Sequence, residues 1–154
     1  MQQPPKIILH VEDEPAHAEL LRLALEDCAV PQRLMHVRDG QEALDYLYRR
    51  AGYHDVAISP RPDLVLLDLR MPRVDGLEVL KALKQDAQLA CIPVVVLTTS
   101  AAENDLRSAY TLHANSYLTK PVNFEKFTAL IDVICSYWLD LNCPPPDAEN
   151  TAPG

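Results

Sequence analysis

Four short stretches of this chain end in residues that could do chemistry. The apolar run KIILHV is followed by Glu12 and Asp13, and DLVLL by Asp68. IPVVVL is followed by Thr98 and Thr99, and SYLT by Lys120. Carboxylates brought together repel: at ~4 Å a pair costs about 1 kcal/mol in water and roughly 4 at an effective dielectric of 20. A hard divalent cation cancels that repulsion, and Mg²⁺, which takes a few carboxylates, a carbonyl and retained waters, suits a shallow acidic pocket. A rigidly held carboxylate can also act as a nucleophile and form an aspartyl-phosphate. Asp68 suits that role best, because it follows the most apolar run and projects into the middle of the rim. Phosphoryl transfer then needs neutralised charge and in-line positioning. The metal covers one phosphoryl oxygen, Lys120 a second as a point charge, and Thr98 donates a hydrogen bond to a third.

These groups meet only if the elements bring them together. Apolar runs alternate with amphipathic stretches five times. KIILHV, RLMHV, DLVLLD, IPVVVLTT and SYLTK read as strands. The helices begin near Pro15, where proline suits a first helical position, and near Asp39, Gly76 and Ala102; the last spans about 123–139. Alternation of this kind predicts βαβ units, a doubly wound α/β fold with a parallel sheet covered by helices on both faces. In such sheets ligands collect outside the carboxyl ends of the strands. All the residues above fall at those ends.

Each piece has a plainer reading. Glu12-Asp13-Glu14 before Pro15 suits any helix N-terminus, Asp75-Gly76 reads as a turn and helix start, and a solitary lysine belongs on a surface. Together at one rim, coincidence falls to roughly one in ten.

Composition bounds the rest. The 154 residues make one domain. A net charge of −8 offers no basic face for nucleic acid. No apolar stretch approaches a membrane span, and the start is not a signal peptide. Cys28, Cys91, Cys135 and Cys143 form no CxxC pair and read as reduced thiols of a cytoplasmic protein. The five histidines are scattered along the chain, which argues against a histidine metal site. Residues 49–62 read as a long exposed loop, and residues 142–154 as a proline-rich solvated tail following a domain of residues 1–141 (core about 6–139).

The chain resembles the receiver domain of two-component response regulators. The likeness rests on HVEDEP, LLDLRMPRVDG around Asp68, VVVLTTS around Thr98 and YLTKP around Lys120, in that order over about residues 6–139. It implies a flavodoxin-like five-stranded sheet of order 2-1-3-4-5. It further implies that Asp68 accepts phosphate from a phosphohistidine on a sensor kinase. Asp13 and Asp68 would bind Mg²⁺ directly, Glu12 directly or through water, and the backbone carbonyl of Arg70 would complete the site. Thr98 and Tyr117 match the family's switch pair, and Lys120-Pro121 a position that is cis in the family. The loop before the third strand, LHANSYLTKP and the ending YWL are similar to the small regulators that partner bacterial and cyanobacterial phytochromes. Arg70 departs from the pattern, being bulky and basic, and Thr99 stands where many receivers have alanine.

Output must then be protein contact. On the last helix Phe127, Leu130, Ile131, Ile134 and Trp138 form one apolar stripe, and Val133, Tyr137 and Leu141 a second. A surface helix needs one. The second predicts a homodimer through helix four, strand five and helix five, the alternative being that it packs under the tail or against helix one. Three rivals share parts of the pattern. A flavodoxin-like electron carrier would need a phosphate loop where Glu-Asp-Glu stands. A haloacid-dehalogenase-type phosphatase would carry an acid where Arg70 is. A receiver-like docking module working without phosphorylation would not need the set of Asp13, Asp68, Thr98 and Lys120.

Overall fold

The computed structural model describes residues 4–146. Five parallel strands, β1 (Lys6–Val11), β2 (Gln32–Val37), β3 (Leu64–Leu67), β4 (Val94–Thr98) and β5 (Ser116–Thr119), form one sheet of order β2-β1-β3-β4-β5. Five helices connect or follow them: α1 (Pro15–Glu26), α2 (Gly40–Leu47), α3 (Gly76–Gln85), α4 (Glu103–Thr111) and α5 (Phe124–Cys135). The central strands β3 and β4 are buried at every residue, as unbroken apolar runs require.

Because side chains alternate along a strand, the sheet separates two cores. On one face Leu9, Val11, Val65, Val94 and Val96 pack with Tyr46, Val79 and Leu80 of α2 and α3. On the other, Ile8, Leu64, Leu66, Val95 and Leu97 pack with Leu21 of α1 and Ile131 of α5. The same alternation aims the chemistry. Glu12 continues the Ile8 face, Asp68 the Leu66 face and Lys120 the Leu118 face, all toward the α1/α5 side. Thr98 continues the opposite row of Val94 and Val96.

The helices start on sequence-readable signals. Asp39 Oδ1 accepts from the Glu42 N–H, and Asp75 Oδ1 from the Glu78 N–H. Asn123 caps α5 in the same way. Gly76 opens α3 where its backbone lies against that of Asp68 and Leu69.

Three expectations are corrected. The last helix is not uniformly α-helical to Leu139: it changes to a π-helical turn over Ser136–Leu141. The wider winding buries Leu139 and leaves Leu141 71% exposed. Val133 and Tyr137 are also exposed, so the second stripe packs neither against α1 nor beneath the described part of the tail. The Lys120-Pro121 bond is trans, the isomer X–Pro bonds favour by about 0.5–1 kcal/mol without a counteracting environment. Residues 49–62 are mostly exposed, as expected, but are pinned by Ser59, whose hydroxyl donates to the carbonyls of Tyr53 and Asp55. Of the expected tail, residues 147–154 lie outside the described residues.

Candidate phosphoacceptor site

Asp68 sits one residue past β3, 7% exposed, with both oxygens engaged. Oδ1 accepts from the Thr98 hydroxyl at 3.1 Å and from the Arg70 N–H at 3.1 Å. Oδ2 accepts from Lys120 Nζ at 2.9 Å. Lys120 also donates to Glu12 Oε1 and lies 3.0 Å from His17 Nδ1. An ammonium has three donors, and here each has a neighbour. Glu12 is fully buried. It is therefore not an ordinary acid at the start of α1; Glu14 holds the N-cap position and makes no side-chain cap bond.

The two carboxylates are driven apart in acidity. Burial pushes Glu12 up to about 7 despite its bond to Lys120. Burial acts on Asp68 in the same direction, but hydrogen bonding and charge from Lys120, with the Glu12 and Arg70 bonds, hold it below the usual carboxylate range. The surroundings thus favour the ionised form of Asp68 and shift Glu12 toward its neutral form.

Glu12, Asp68, Thr98 and Lys120 thus converge as expected. Asp13 does not join them directly. It is exposed, and shares the wall of an open cavity of about 300 Å³ with Leu69, Arg70, Met71, Pro72 and Asp75. Asp13 and Arg70 therefore border the same open space, whereas among the described residues the clustered ligand atoms are those of Glu12, His17 and Asp68. Thr98 is buried and Thr99 exposed.

Two features went unread in the sequence. The first is His17. Its Nδ1 lies 3.4 Å from Glu12 Oε1, and ligand atoms of Glu12, His17 and Asp68 all fall within 4.8 Å of one another. The histidines are scattered along the sequence, and one of them, His17, comes to the rim in space. His17 lies in the first turn of α1, just after the rim acids in sequence, but its facing is set by how α1 packs. The second is a chain of contacts behind Thr98. Arg70 Nη2 and Ser100 Oγ both donate to Asp105 Oδ2 at 2.6 Å, and the Tyr117 hydroxyl donates to the Ser100 carbonyl at 2.8 Å. Ser100 and then Arg70 hold the Asp105 carboxyl below its usual range against partial burial. The basic side chain of Arg70 is thereby turned from the acids toward α4.

A doubly wound sheet with an ionised aspartate, a buried lysine and a strand-end threonine at its carboxyl rim defines a phosphoryl-accepting signalling domain. The response regulator receiver domain family matches residues 8–132, and the chain belongs to that family. It is 48% identical over 141 residues to the probable methanogenesis regulatory protein FilR2 of Methanothrix harundinacea, covering 92% of this chain and 88% of that protein. It is 44% identical over 137 residues to the response regulator Rcp1 of Synechocystis, covering 89% and 91%. Among solved structures, the phosphorylated cyanobacterial phytochrome response regulator RcpA superposes with a TM-score of 0.86 at 42% identity, covering 93% of this chain and all of that one. The Mn²⁺-bound form of Rcp1 superposes at 0.85, with 42% identity and coverage of 92% and 100%. No helix among the described residues is long and apolar enough to cross a membrane.

Proposed function

We propose that Asp68 takes a phosphoryl group from a phosphohistidine of a sensor histidine kinase of the phytochrome type, and that the phosphorylated chain signals by protein contact. The observation that carries this reading is the state of Asp68: ionised, held at both oxygens, and adjacent to a lysine whose side chain is 7% exposed. Its carboxylate oxygen forms the new O–P bond as the donor's P–N bond breaks and the imidazole leaves. Lys120 and Thr98, already on the two oxygens of Asp68, are placed to follow the charge onto the incoming phosphoryl oxygens. Glu12, Asp13, Asp68 and the Arg70 carbonyl are the residues that would hold Mg²⁺, whose part is to neutralise phosphoryl charge. The oxygen donors of the rim fit such an ion, and Rcp1 at 42% identity accepts Mn²⁺. Hydrolysis of the acyl phosphate by water, within the same site, resets the protein. Four free thiols suit a cytoplasmic setting. The test is phosphotransfer from an autophosphorylated phytochrome kinase: label should pass to the wild-type chain and not to Asp68→Asn. Transfer to both would reject Asp68.

Phosphorylation is read out through the contacts behind Thr98. When the Thr98 hydroxyl turns to the phosphoryl group, space opens for Tyr117, which is now tied to Ser100 and through it to Asp105 on α4. Switching from mostly off to mostly on requires about 5 kcal/mol in favour of the on state. Tyr117→Ala should abolish phosphorylation-dependent binding of a partner in a pull-down while leaving phosphoryl uptake intact; unchanged binding rejects the switch.

The exposed apolar residues Leu106 and Tyr110 of α4, Phe124 and Val133 of α5, and Tyr137 and Leu141 beyond it support a homodimer through α4, β5 and α5. Light scattering should report a dimer that Tyr137→Glu with Leu141→Glu dissociates. A wild-type monomer in both phosphorylation states refutes it.

A further inference from the structure

A cavity of about 610 Å³ opens at the foot of the sheet, the end opposite Asp68. Pro62 and Pro93, buried just ahead of β3 and β4, line it. So do Arg49, Gln88 and the run Pro144, Pro145 and Pro146. That placement gives the course of the tail. The chain leaves α5 on the face of the sheet that α1 covers, whereas Arg49 follows α2 and Gln88 follows α3 on the other face. Pro144, Pro145 and Pro146 therefore cross beneath the strands. Proline suits such a crossing: its ring fixes φ at about −65°, and it carries no N–H that would need a partner against buried strand starts.

Arg49 differs from its neighbours in charge pairing. Arg22, Arg50, Arg70, Arg73 and Arg107 each meet a carboxylate within hydrogen-bond distance. Arg49 Nε donates to the Ser59 carbonyl at 3.3 Å, and its guanidinium meets no carboxylate among the described residues. On a chain of net charge −8 it is a positive group beside a cavity, on the loop that the buried Ser59 pins. Past Pro146 the sequence continues with Asp147, Ala148 and Glu149, outside the described residues. Three residues of extended chain span roughly 10 Å, and positions 147 and 149 share a side when the chain is extended. Both carboxylates are thus within reach of the cavity that Pro146 itself lines.

We propose that the acidic segment 147–149 occupies this cavity and pairs with Arg49, so that the tail straps the loop of residues 49–62 to the foot of the sheet. Charge and connection select this occupant: Pro144, Pro145 and Pro146 already carry the two acids to the cavity, so pairing is intramolecular and needs no encounter. The strap does not depend on the phosphoacceptor reading, because it lies at the other end of the strands.

Hydrogen exchange of the full chain, read by mass spectrometry over residues 52–59, tests it. Asp147→Asn with Glu149→Gln should speed exchange there by up to about fivefold, the scale of an exposed ion pair. In an Arg49→Gln background the same tail substitutions should change exchange no further, because the pair is already gone. Unchanged exchange after the tail substitutions overturns the strap, and so does an equal speeding in the Arg49→Gln background. Protection of the loop that falls on dilution assigns the cavity to the tail of a second copy and overturns a strap within one chain. Asp68 should take up phosphate at the wild-type rate in every variant; a slowed rate contradicts a strap confined to the foot of the sheet.

Discussion

Lys120→Met should lose about 3 kcal/mol of stability at neutral pH and slow phosphoryl uptake at Asp68 by about a hundredfold. The first effect follows from burial. Glu12 is fully buried and Asp68 nearly so, and Lys120 lies between them. Removing one partner of a buried ionic group typically costs about 3–5 kcal/mol. The lower end applies because burial already pushes Glu12 up to about 7, so one of the two acids is readily neutralised. The sign with pH follows from Asp68, which Lys120 holds below the usual carboxylate range. A depressed carboxyl contributes stability above its unfolded pKa and loses it as pH falls through the folded value. The penalty of Lys120→Met is therefore largest near neutrality and shrinks in acid. The second effect is the loss of a preorganised positive group at developing charge, worth about 10²–10³ in rate. Urea unfolding at two pH values and uptake from acetyl phosphate measure both. Unchanged stability near pH 7 would show that the short contacts among Glu12, Asp68 and Lys120 carry no weight.

Gly76→Ala should be nearly as damaging, at a position with no chemistry of its own. A Cβ there would lie 2.2 Å from the Asp68 carbonyl oxygen and 2.6 Å from Leu69 Cα. Both are backbone atoms and cannot rotate aside. Gly76 N–H also donates to the Leu69 carbonyl at 3.0 Å, fixing α3 against the strand end. Relief requires the start of α3 or the backbone of Asp68 to move, at about 3 kcal/mol, the upper range for an overpacked core. A shift of ~1 Å at a reacting group costs roughly a hundredfold in rate. Gly52→Ala separates the two consequences. That residue has a positive φ of 97° and open space around its Cβ position. Its substitution should cost about 1 kcal/mol through backbone strain and leave phosphoryl uptake unchanged. Equal uptake in Gly76→Ala and wild type would mean that α3 does not position Asp68.

How much of this was legible in the sequence depended on the range of the interaction. Unbroken apolar runs marked β3 and β4, and alternating strand and helix signals led to the parallel sheet. The caps at Asp39, Asp75 and Asn123 are local devices and show in three or four residues. Glu12, Asp68, Thr98 and Lys120 could be grouped because each closes a strand and a parallel sheet aligns strand ends. His17 was missed because it lies on a helix, where facing the rim depends on how α1 packs against α5. The Arg70–Asp105 bridge spans 35 residues, and no periodicity reports it. The exposure of Asp13 and the π-helical turn after Cys135 also depend on tertiary packing: the apolar spacing of the last helix is compatible with either winding.

The central claim is that Asp68 carries the phosphoryl group in a cation-dependent reaction. Intact mass spectrometry after incubation with acetyl phosphate and Mg²⁺ tests it most directly, followed by borohydride reduction, which converts an aspartyl phosphate to homoserine. The account predicts one added phosphoryl group, homoserine at position 68, and no addition in Asp68→Asn or with a chelator present. Phosphate found at another residue, or taken up equally by Asp68→Asn, would contradict it.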